Sequence, residues 1–582
     1  MAHSSENCSR LNLKVVNIDH IRDLEIIQYG EPNVYLIRLP FGRSSNDAGR
    51  AKLHFHAIAQ LCGRLHKQST VCVLTTPADA AALLPYLEES LHFRHWIVLK
   101  TTADAYPHIE GQLSNRHAAL LVLNRDKKYL RYTLTRINYT YCPACGKTTK
   151  DYGGKTHIHH QDGTLISDVW RDMEWSPDSG VDVITDRLRD FFGLAPYNEL
   201  VVCDLHTCKD LMPLAEQQCE LEPTEVTPAT SVYPRRVRSR LIHGDCFEIL
   251  RRLPSNSIDF GFADLPYNLK KKYYKSSDDL EIAEYFSWCD EWLAEYFRIL
   301  KPGHTLAVLN IPRWAARHYE FLSSIMDFQG WIAWDALGFP VRKIMPAHYG
   351  ILCFSKGEPR ALPGLIAAER DDVESAYLTP QNELFCKRHY CISSRARLEI
   401  NDRDALSDLW HDVHRLKHNS QRVEHPCQLP PLLMRRLFAL FTTAGEIVLD
   451  GFDGAGTSTL VAHQMGRRYI GVEKSKRYHN LAIKRHLLID AGGDPFYRKN
   501  GVPQAKNSRV QRLPKKKYPV TKKVLQLEIK QLAEELGRLP TRDDVKAHSQ
   551  HPLKYFKEYF INWGEVCAAA RTTGIVDTPL GS

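Results

Sequence analysis

Nowhere in the 582 residues does an apolar run approach the roughly 20 residues that a membrane-spanning helix needs. The first ten, Met1 to Arg10, are polar and hold no signal-peptide core. Both absences point away from helical membrane proteins and secreted proteins, so a cytoplasmic protein with no membrane partner is expected. In that reducing setting, 15 cysteines are read as thiols or metal ligands rather than disulfides. Net charge is also modest, +9. Acidic residues vanish from one place, Arg498 to Lys523, which carries ten Lys/Arg and no Asp/Glu. A stretch like that suits a phosphate backbone, and equally a solvated linker.

What is present is ordinary globular material, 43% hydrophobic and 25% charged, long enough for two or three domains with full cores. Short apolar runs alternate with amphipathic segments, an α/β pattern. In the first half the runs are Val34 to Ile37, Val71 to Leu74, Trp96 to Leu99 and Ala119 to Leu123.

Two stretches carry chemistry. In the first, a buried-strand run from Ser257 to Phe262 leads into Ala263-Asp264-Leu265-Pro266-Tyr267-Asn268. An acid and a backbone carbonyl there can accept hydrogen bonds from an amino group, and an aromatic ring can face a planar base. The second runs from Glu446 through Asp450-Gly451-Phe452-Asp453-Gly454-Ala455-Gly456-Thr457 into an apolar helix near Ser458. Its glycines let backbone approach a ligand closely. The following strand, Arg468 to Glu473, ends in an acid placed to accept from ribose hydroxyls.

Together these stretches resemble the DNA amino-methyltransferases, and the order, catalytic loop before cofactor loop, resembles their beta class. The resemblance covers about Leu241 to His486. It implies a Rossmann-like domain that binds S-adenosylmethionine and methylates adenine N6 or cytosine N4 in double-stranded DNA. Residue by residue, it implies that Asp264 and the carbonyl of Leu265 bind the target amino group, with Pro266 shaping the loop and Tyr267 stacking on an extruded base. Cofactor contacts are implied for Asp245, Asp450, Phe452, Asp453, Gly454, Gly456, Ser458 and Glu473. A capping role is the alternative for Asp245. His425 to Pro430 resembles the family's His-Pro-x-Gln-x-Pro stretch. Two departures stand out. Leu265 replaces the first of two usual prolines, and Gly451 replaces the proline of a usual Asp-Pro-Phe, which would loosen the turn. An acid at the first loop position leans toward adenine N6. Cytosine N4 methylation, or an inactive DNA-binding protein on the same scaffold, are the alternatives. A prokaryotic, nucleoid-associated location and a cognate restriction endonuclease as partner also follow from the resemblance.

An internal repeat runs through the chain. Leu36 to Phe41 matches Phe262 to Tyr267, Val73 to Pro77 matches Val308 to Pro312, Ile166 to Asp172 matches Leu406 to Asp412, and Glu199 to Asp204 matches Glu446 to Asp450. In the first copy Arg38 stands where Asp264 stands, and no Gly-rich turn follows Asp204. A guanidinium cannot accept from an amino group. The expected domains are therefore a degenerate methyltransferase-like copy over 1–220, a linker over 221–240 and a catalytic domain over 241–490. Residues 356–421 are the candidate target-recognition region. Since beta-class members often dimerise, the chain is expected to carry its dimer partner covalently, as a pseudo-dimer.

Cys142-Pro143-Ala144-Cys145-Gly146 has the form of a zinc knuckle, and the repeat places Cys386 and Cys391 at the matching position. A structural Zn²⁺ held by these four is one reading. His157, His159 and His160, or Cys203, His206 and Cys208, are local alternatives for the second pair of ligands. After a basic linker over 491–523, residues 524–575 read as a three-helix unit with Thr541 as N-cap. That unit resembles the small repeat found beside homing endonucleases and implies an auxiliary DNA-binding domain.

Overall fold

Val34–Arg38, Thr70–Thr75 and His117–Asn124 are buried along their whole length. Strands of this kind must be covered on both faces, and helices cover them here. The computed structural model describes residues 13–17, 34–41, 48–105, 108–128, 132–149, 160, 162–173, 175–194, 200–208, 239–268, 272–273, 276–277, 280–336, 343–369, 385–386, 388–401, 406–413, 415–416, 423, 428–496, 520, 522–560 and 563–568. They fall into two compact units, Met1–Thr149 with Leu165–Pro503, and Lys150–Thr164 with Gln504–Ser582.

The larger unit is built on two mixed sheets. In the first, the strand order is Leu13–Asn17, Leu200–Asp204, Val34–Arg38, Thr70–Thr75, His117–Asn124, His92–Lys100 and Val169–Trp170. In the second it is Arg240–His243, Arg468–Glu473, Ile447–Asp450, Ile258–Asp264, Leu300–Asn310, His348–Ser355, Asp327–Asp335 and Leu409–Trp410. Both sheets follow one plan. His117–Asn124 and His348–Ser355 run antiparallel to both their neighbours, and the other pairs are parallel. Even the register irregularity recurs, between Phe93 and His95 in one sheet and Phe328 and Gly330 in the other. One strand differs. Among the described residues the first sheet has no counterpart of Arg468–Glu473, and Leu13–Asn17 pairs directly with Leu200–Asp204.

The two sheets meet through reciprocal contacts. His117 Nδ1 lies 2.9 Å from Asp408 Oδ2, and His348 Nδ1 lies 3.1 Å from Asp168 Oδ2. Each aspartate also accepts from a backbone amide of the opposite half, Arg116 to Asp408 and Ala347 to Asp168, both at 2.8 Å. Between them Trp96 stacks on Trp331 with centroids 4.6 Å apart and planes 14° from parallel. Helix Pro77–Glu88 carries Glu88 to Arg313 of helix Pro312–Leu322, 2.6 Å from its Nη2. One apolar cluster, from Tyr35 and Leu83 to Trp331 and Leu449, runs through both halves.

Arg240 is already in a strand, so the second half begins one residue earlier than the expected boundary. The rest of the linker up to 238, the basic stretch 497–519, His157, His159 and His425 to Cys427 lie outside the described residues. Within 356–421, Leu409–Trp410 forms a sheet edge and Asp408 faces the other half, while 370–384 is outside the described residues.

Among its described residues the smaller unit has four helices where three were expected, Lys522–Leu536, Arg542–His548, Leu553–Tyr559 and Trp563–Ala568. The extra helix follows Pro552, which sits at its N-cap, and the stretch from Tyr559 divides at extended Phe560. Thr541 caps the second helix in a reciprocal capping box with Asp544. Leu525, Ile529, Leu532, Val545, Phe556, Phe560 and Val566 form its core. Among the described residues no helix is long and apolar enough to cross a membrane.

Candidate functional site

In open α/β sheets ligands bind beyond the carboxyl ends of the strands, where the strand order reverses. In the second sheet that point lies between Ile447–Asp450 and Ile258–Asp264, which run parallel with Phe262 opposite Asp450. Asp264, Asp450 and Glu473 end three strands that lie side by side there.

Asp264 leaves its strand half-buried, and the loop after it is tied down from outside. Tyr285 donates to the Pro266 carbonyl at 2.7 Å, and the Trp314 indole to the Tyr267 carbonyl at 2.9 Å. The Tyr267 hydroxyl donates to Asp264 Oδ1 at 2.9 Å, and its ring lies 6.0 Å from Tyr349, over which Arg415 sits. Leu265 is buried. Asn268, at φ +49°, exchanges two hydrogen bonds with Leu280, 2.8 and 2.9 Å, and so clamps the ends of the lysine-rich loop. Lys270, Lys271 and Tyr274 in that loop are outside the described residues.

Beside it, the Gly-rich turn folds back on its own acids. Asp450 accepts from the Phe452 amide at 2.8 Å and from the Ser458 hydroxyl. Asp453 accepts from Thr459 at 3.0 Å. The Gly454 and Ser475 amides donate to opposite oxygens of Glu473, at 2.9 and 2.6 Å. Gly456 at φ +84° starts helix Thr457–Gln464, where a Cβ would come within 2.9 Å of Ala482. Phe452 stands edge-on to Trp292 at 5.2 Å.

Burial, with Glu473 adding repulsion, pushes the Asp450 carboxyl up to about 6. Burial likewise raises Glu473, and it holds Asp453 well above the carboxylate range, with Asp450 adding to it. Three acids crowded together make a pocket short of positive charge. A ligand carrying a sulfonium and an ammonium group fits that deficit, and Glu473 keeps lone pairs for ribose hydroxyls. S-adenosylmethionine therefore matches the donor set present.

Gly451 is more constrained than the loosened turn expected from its sequence. Its amide donates to the Tyr296 hydroxyl at 2.8 Å, which in turn donates to the Phe262 carbonyl at 3.0 Å. A Cβ at Gly451 would meet Cys246 Sγ at 2.6 Å. Proline, lacking the N–H, could not make this bond. Tyr285, Tyr296 and Trp314 were not singled out in the sequence. Tyr285 and Tyr296 lie on the buried face of helix Ile282–Ile299, and the available signal was that a buried hydroxyl needs a partner. Asp245 accepts from the Phe247 amide at 3.0 Å as N-cap of helix Cys246–Leu250, and Lys474 lies 3.0 Å from its other oxygen.

In the first sheet the matching position is closed. Arg38, 4% exposed, lies 3.3 Å from Asp204 and donates to the Pro177 carbonyl. Asp204 pairs in register with Arg38 itself, whereas Asp450 pairs two residues before Asp264. A guanidinium thus pairs with the strand-end acid of the first sheet, whereas Asp264 in the second sheet accepts from the Tyr267 hydroxyl.

The four cysteines come together. The sulfurs of Cys142, Cys145, Cys386 and Cys391 all lie within 4.8 Å of one another. Among the described residues Cys203, His206 and Cys208 form no such group.

Residues 258–484 match the DNA methylase family model, and 520–570 match the homing endonuclease associated repeat. The chain is 29% identical over 275 residues to the Type II methyltransferase M.BamHI of Bacillus amyloliquefaciens, covering 46% of this chain and 63% of that protein. It is 31% identical over 252 residues to the Type II methyltransferase M.HpaI of Haemophilus parainfluenzae, covering 42% of this chain and 73% of that protein. Among solved structures, the M1.HpyAVI–SAM complex aligns at 20% identity and a TM-score of 0.29, over 42% of this chain and 98% of that one. The family-model match takes in the strand ending at Asp264 and the turn from Asp450, and the chain belongs to the N6/N4 DNA methylase family.

Proposed function

We propose that the chain transfers a methyl group from S-adenosylmethionine to an exocyclic amino group in double-stranded DNA, with adenine N6 the favoured target. The observation that carries this is the line of Asp264, Asp450 and Glu473 at three adjacent strand ends, with the Tyr267 ring and hydroxyl beside the first. Bound at the turn, S-adenosylmethionine supplies an electrophilic methyl on its sulfonium sulfur. Asp450 and Glu473 would hold it, and Gly454 and Gly456 would let backbone approach it. Asp264 and the Leu265 carbonyl would accept the two amino hydrogens, turning the nitrogen lone pair out of the ring; the nitrogen–methyl bond would form as the sulfur–methyl bond breaks, leaving the neutral thioether, and the displaced amino proton would pass to solvent. One carboxylate oxygen has two acceptor sites, so Asp264 can keep Tyr267 while taking the amino group. Positioning and preorganised acceptors provide the acceleration.

The first sheet, sharing the strand plan but closed by Arg38 and lacking a Glu473 strand among its described residues, supports reading the N-terminal half as a degenerate copy and the larger unit as a pseudo-dimer with one active site. Its partner on the genome would be a restriction endonuclease of the same specificity, a reading supported by the Type II names of its relatives. A DNA substrate would suit a nucleoid location, and the 520–570 match supports the C-terminal helices as an auxiliary DNA contact.

The test is transfer of labelled methyl to mixed genomic DNA followed by nucleoside mass spectrometry, with Asp264→Ala alongside. An N6-methyladenine peak absent from the variant supports the reading. An N4-methylcytosine peak reassigns the base. Label in RNA or protein but not DNA, or cofactor binding with no transfer, overturns it.

A further inference from the structure

We propose that Cys142, Cys145, Cys386 and Cys391 bind one Zn²⁺ in a four-thiolate site that joins the two halves of the larger unit. Two ligands come from each half, 241 residues apart for Cys145 and Cys386. In a tetrahedral site with Zn–S of about 2.3 Å, sulfurs sit ~3.8 Å apart. Cys145 Sγ and Cys386 Sγ are 3.8 Å apart, and none of the four is in a disulfide.

Their surroundings are those of ligands rather than of core thiols. Cys142, Cys386 and Cys391 are buried, and among the described residues the four pack as a cluster of their own, with no aliphatic side chain in it. Four thiols by themselves bury little apolar surface, so packing gives no reason for them to converge. Of the other buried cysteines among the described residues, Cys208 lies in a loop and the rest lie within strands or helices, such as Cys72 in Thr70–Thr75 and Cys353 in His348–Ser355.

Both pairs are held in shape before any metal arrives. Cys142 starts a tight turn in which its carbonyl accepts from the Cys145 amide at 3.3 Å and the Gly146 amide at 2.8 Å, while its own amide donates to Lys147 at 2.8 Å. Gly146, at φ +63°, lets the chain reverse, and a Tyr141–Thr148 bridge closes the turn. Cys391 lies in the first turn of helix His389–Arg397.

Charge is matched too. Four thiolates around a divalent ion leave two negative charges. Arg388 reaches Cys145 Sγ at 3.8 Å while donating to the Thr148 carbonyl at 3.0 Å, and buried Arg395 donates to the Cys386 carbonyl at 3.0 Å. Outer groups of this kind orient and neutralise a metal site. The proposed methyl transfer uses no metal, so the ion's work is structural.

The test is metal analysis of the full chain after dialysis against metal-free buffer. About one zinc per chain is expected, lost from a Cys142→Ser/Cys386→Ser double variant. If that variant does not fold, the unaltered chain still decides. Titration with an organomercurial should release one equivalent of zinc as four thiols react, and replacement by Co²⁺ should give thiolate-to-cobalt charge-transfer absorption and tetrahedral d–d bands. Metal-free protein with these thiols reacting freely would overturn the proposal. Iron in place of zinc would overturn the zinc assignment, and zinc retained by the double variant would overturn the ligand set.

Discussion

Asp450 sits among charges of its own sign, and that governs how the site should respond to pH. Around it lie Asp453, Glu473, the Ser458 hydroxyl, Cys246 and Tyr296. Its carboxyl, pushed up to about 6 by burial, is neutral below that pH and charged above it. A cationic cofactor favours the charged form, so binding releases a proton and tightens as pH rises. Calorimetry should show S-adenosylmethionine binding about tenfold weaker one unit below the carboxyl's pKa than on the plateau above it. Asp450→Asn should flatten that slope. A slope of the opposite sign would remove the carboxylates from the cofactor site. Asp264→Ala should lower kcat on the order of 10²–10³-fold, the usual loss for one preorganised group, with cofactor affinity kept. Gly451→Pro, a return to the family's usual residue, should cost about 2–4 kcal/mol in denaturant melts, because it removes the bond to Tyr296 and crowds Cys246. That position also marks what sequence could not reveal. The glycine was visible as a departure, but its reason lies on a helix more than 150 residues away in the chain. Asp264, Glu473 and the glycines were legible because their roles depend on local order, a strand, a turn and a helix start.

Elements were read with most success where burial leaves no freedom. Fully apolar runs such as Val71 to Leu74 could only be covered strands, and they are. The C-terminal unit was harder, because its helices are short and their boundaries depend on caps. Thr541 was legible as a cap, since Thr with an acid three residues on is a local pattern. The extra helix at Leu553–Tyr559 was not, since it follows Pro552 and is only 7 residues long. Thr541→Ala should destabilise this unit by about 1 kcal/mol, and hydrogen exchange at its amides should record the change while those of the larger unit stay as they were. A loss spread evenly over the chain would contradict the division into two units. Among the described residues the first sheet has no strand in the place of Arg468–Glu473, which bears on cofactor stoichiometry. With one Gly-rich turn and one acid-ended strand beside it, the full chain should bind one S-adenosylmethionine, and a stoichiometry of two would restore the first sheet as a working site.

For the molecule as a whole, the two sheets share one strand plan, but nothing in the sequence says how they join. His117 and Asp408 are separated by 291 residues and carry no mutual signature. Only the fold makes them partners, and only the shared plan makes His348 and Asp168 repeat the contact. Taking away one member of such a pair leaves a buried polar group without its partner. His117→Leu should therefore destabilise the larger unit by about 1–3 kcal/mol, and adding Asp408→Leu should recover part of the loss.

The reciprocity has another consequence. Each half holds one histidine and one aspartate of the two exchanged pairs, so each is the other's missing ligand, and between Cys208 and Ser239 the chain crosses from one to the other. Cut there, the protein should behave as a split enzyme. The fragments made apart would each expose apolar surface and a stranded acid, whereas made together in one cell they should find one another and co-purify without a covalent tether.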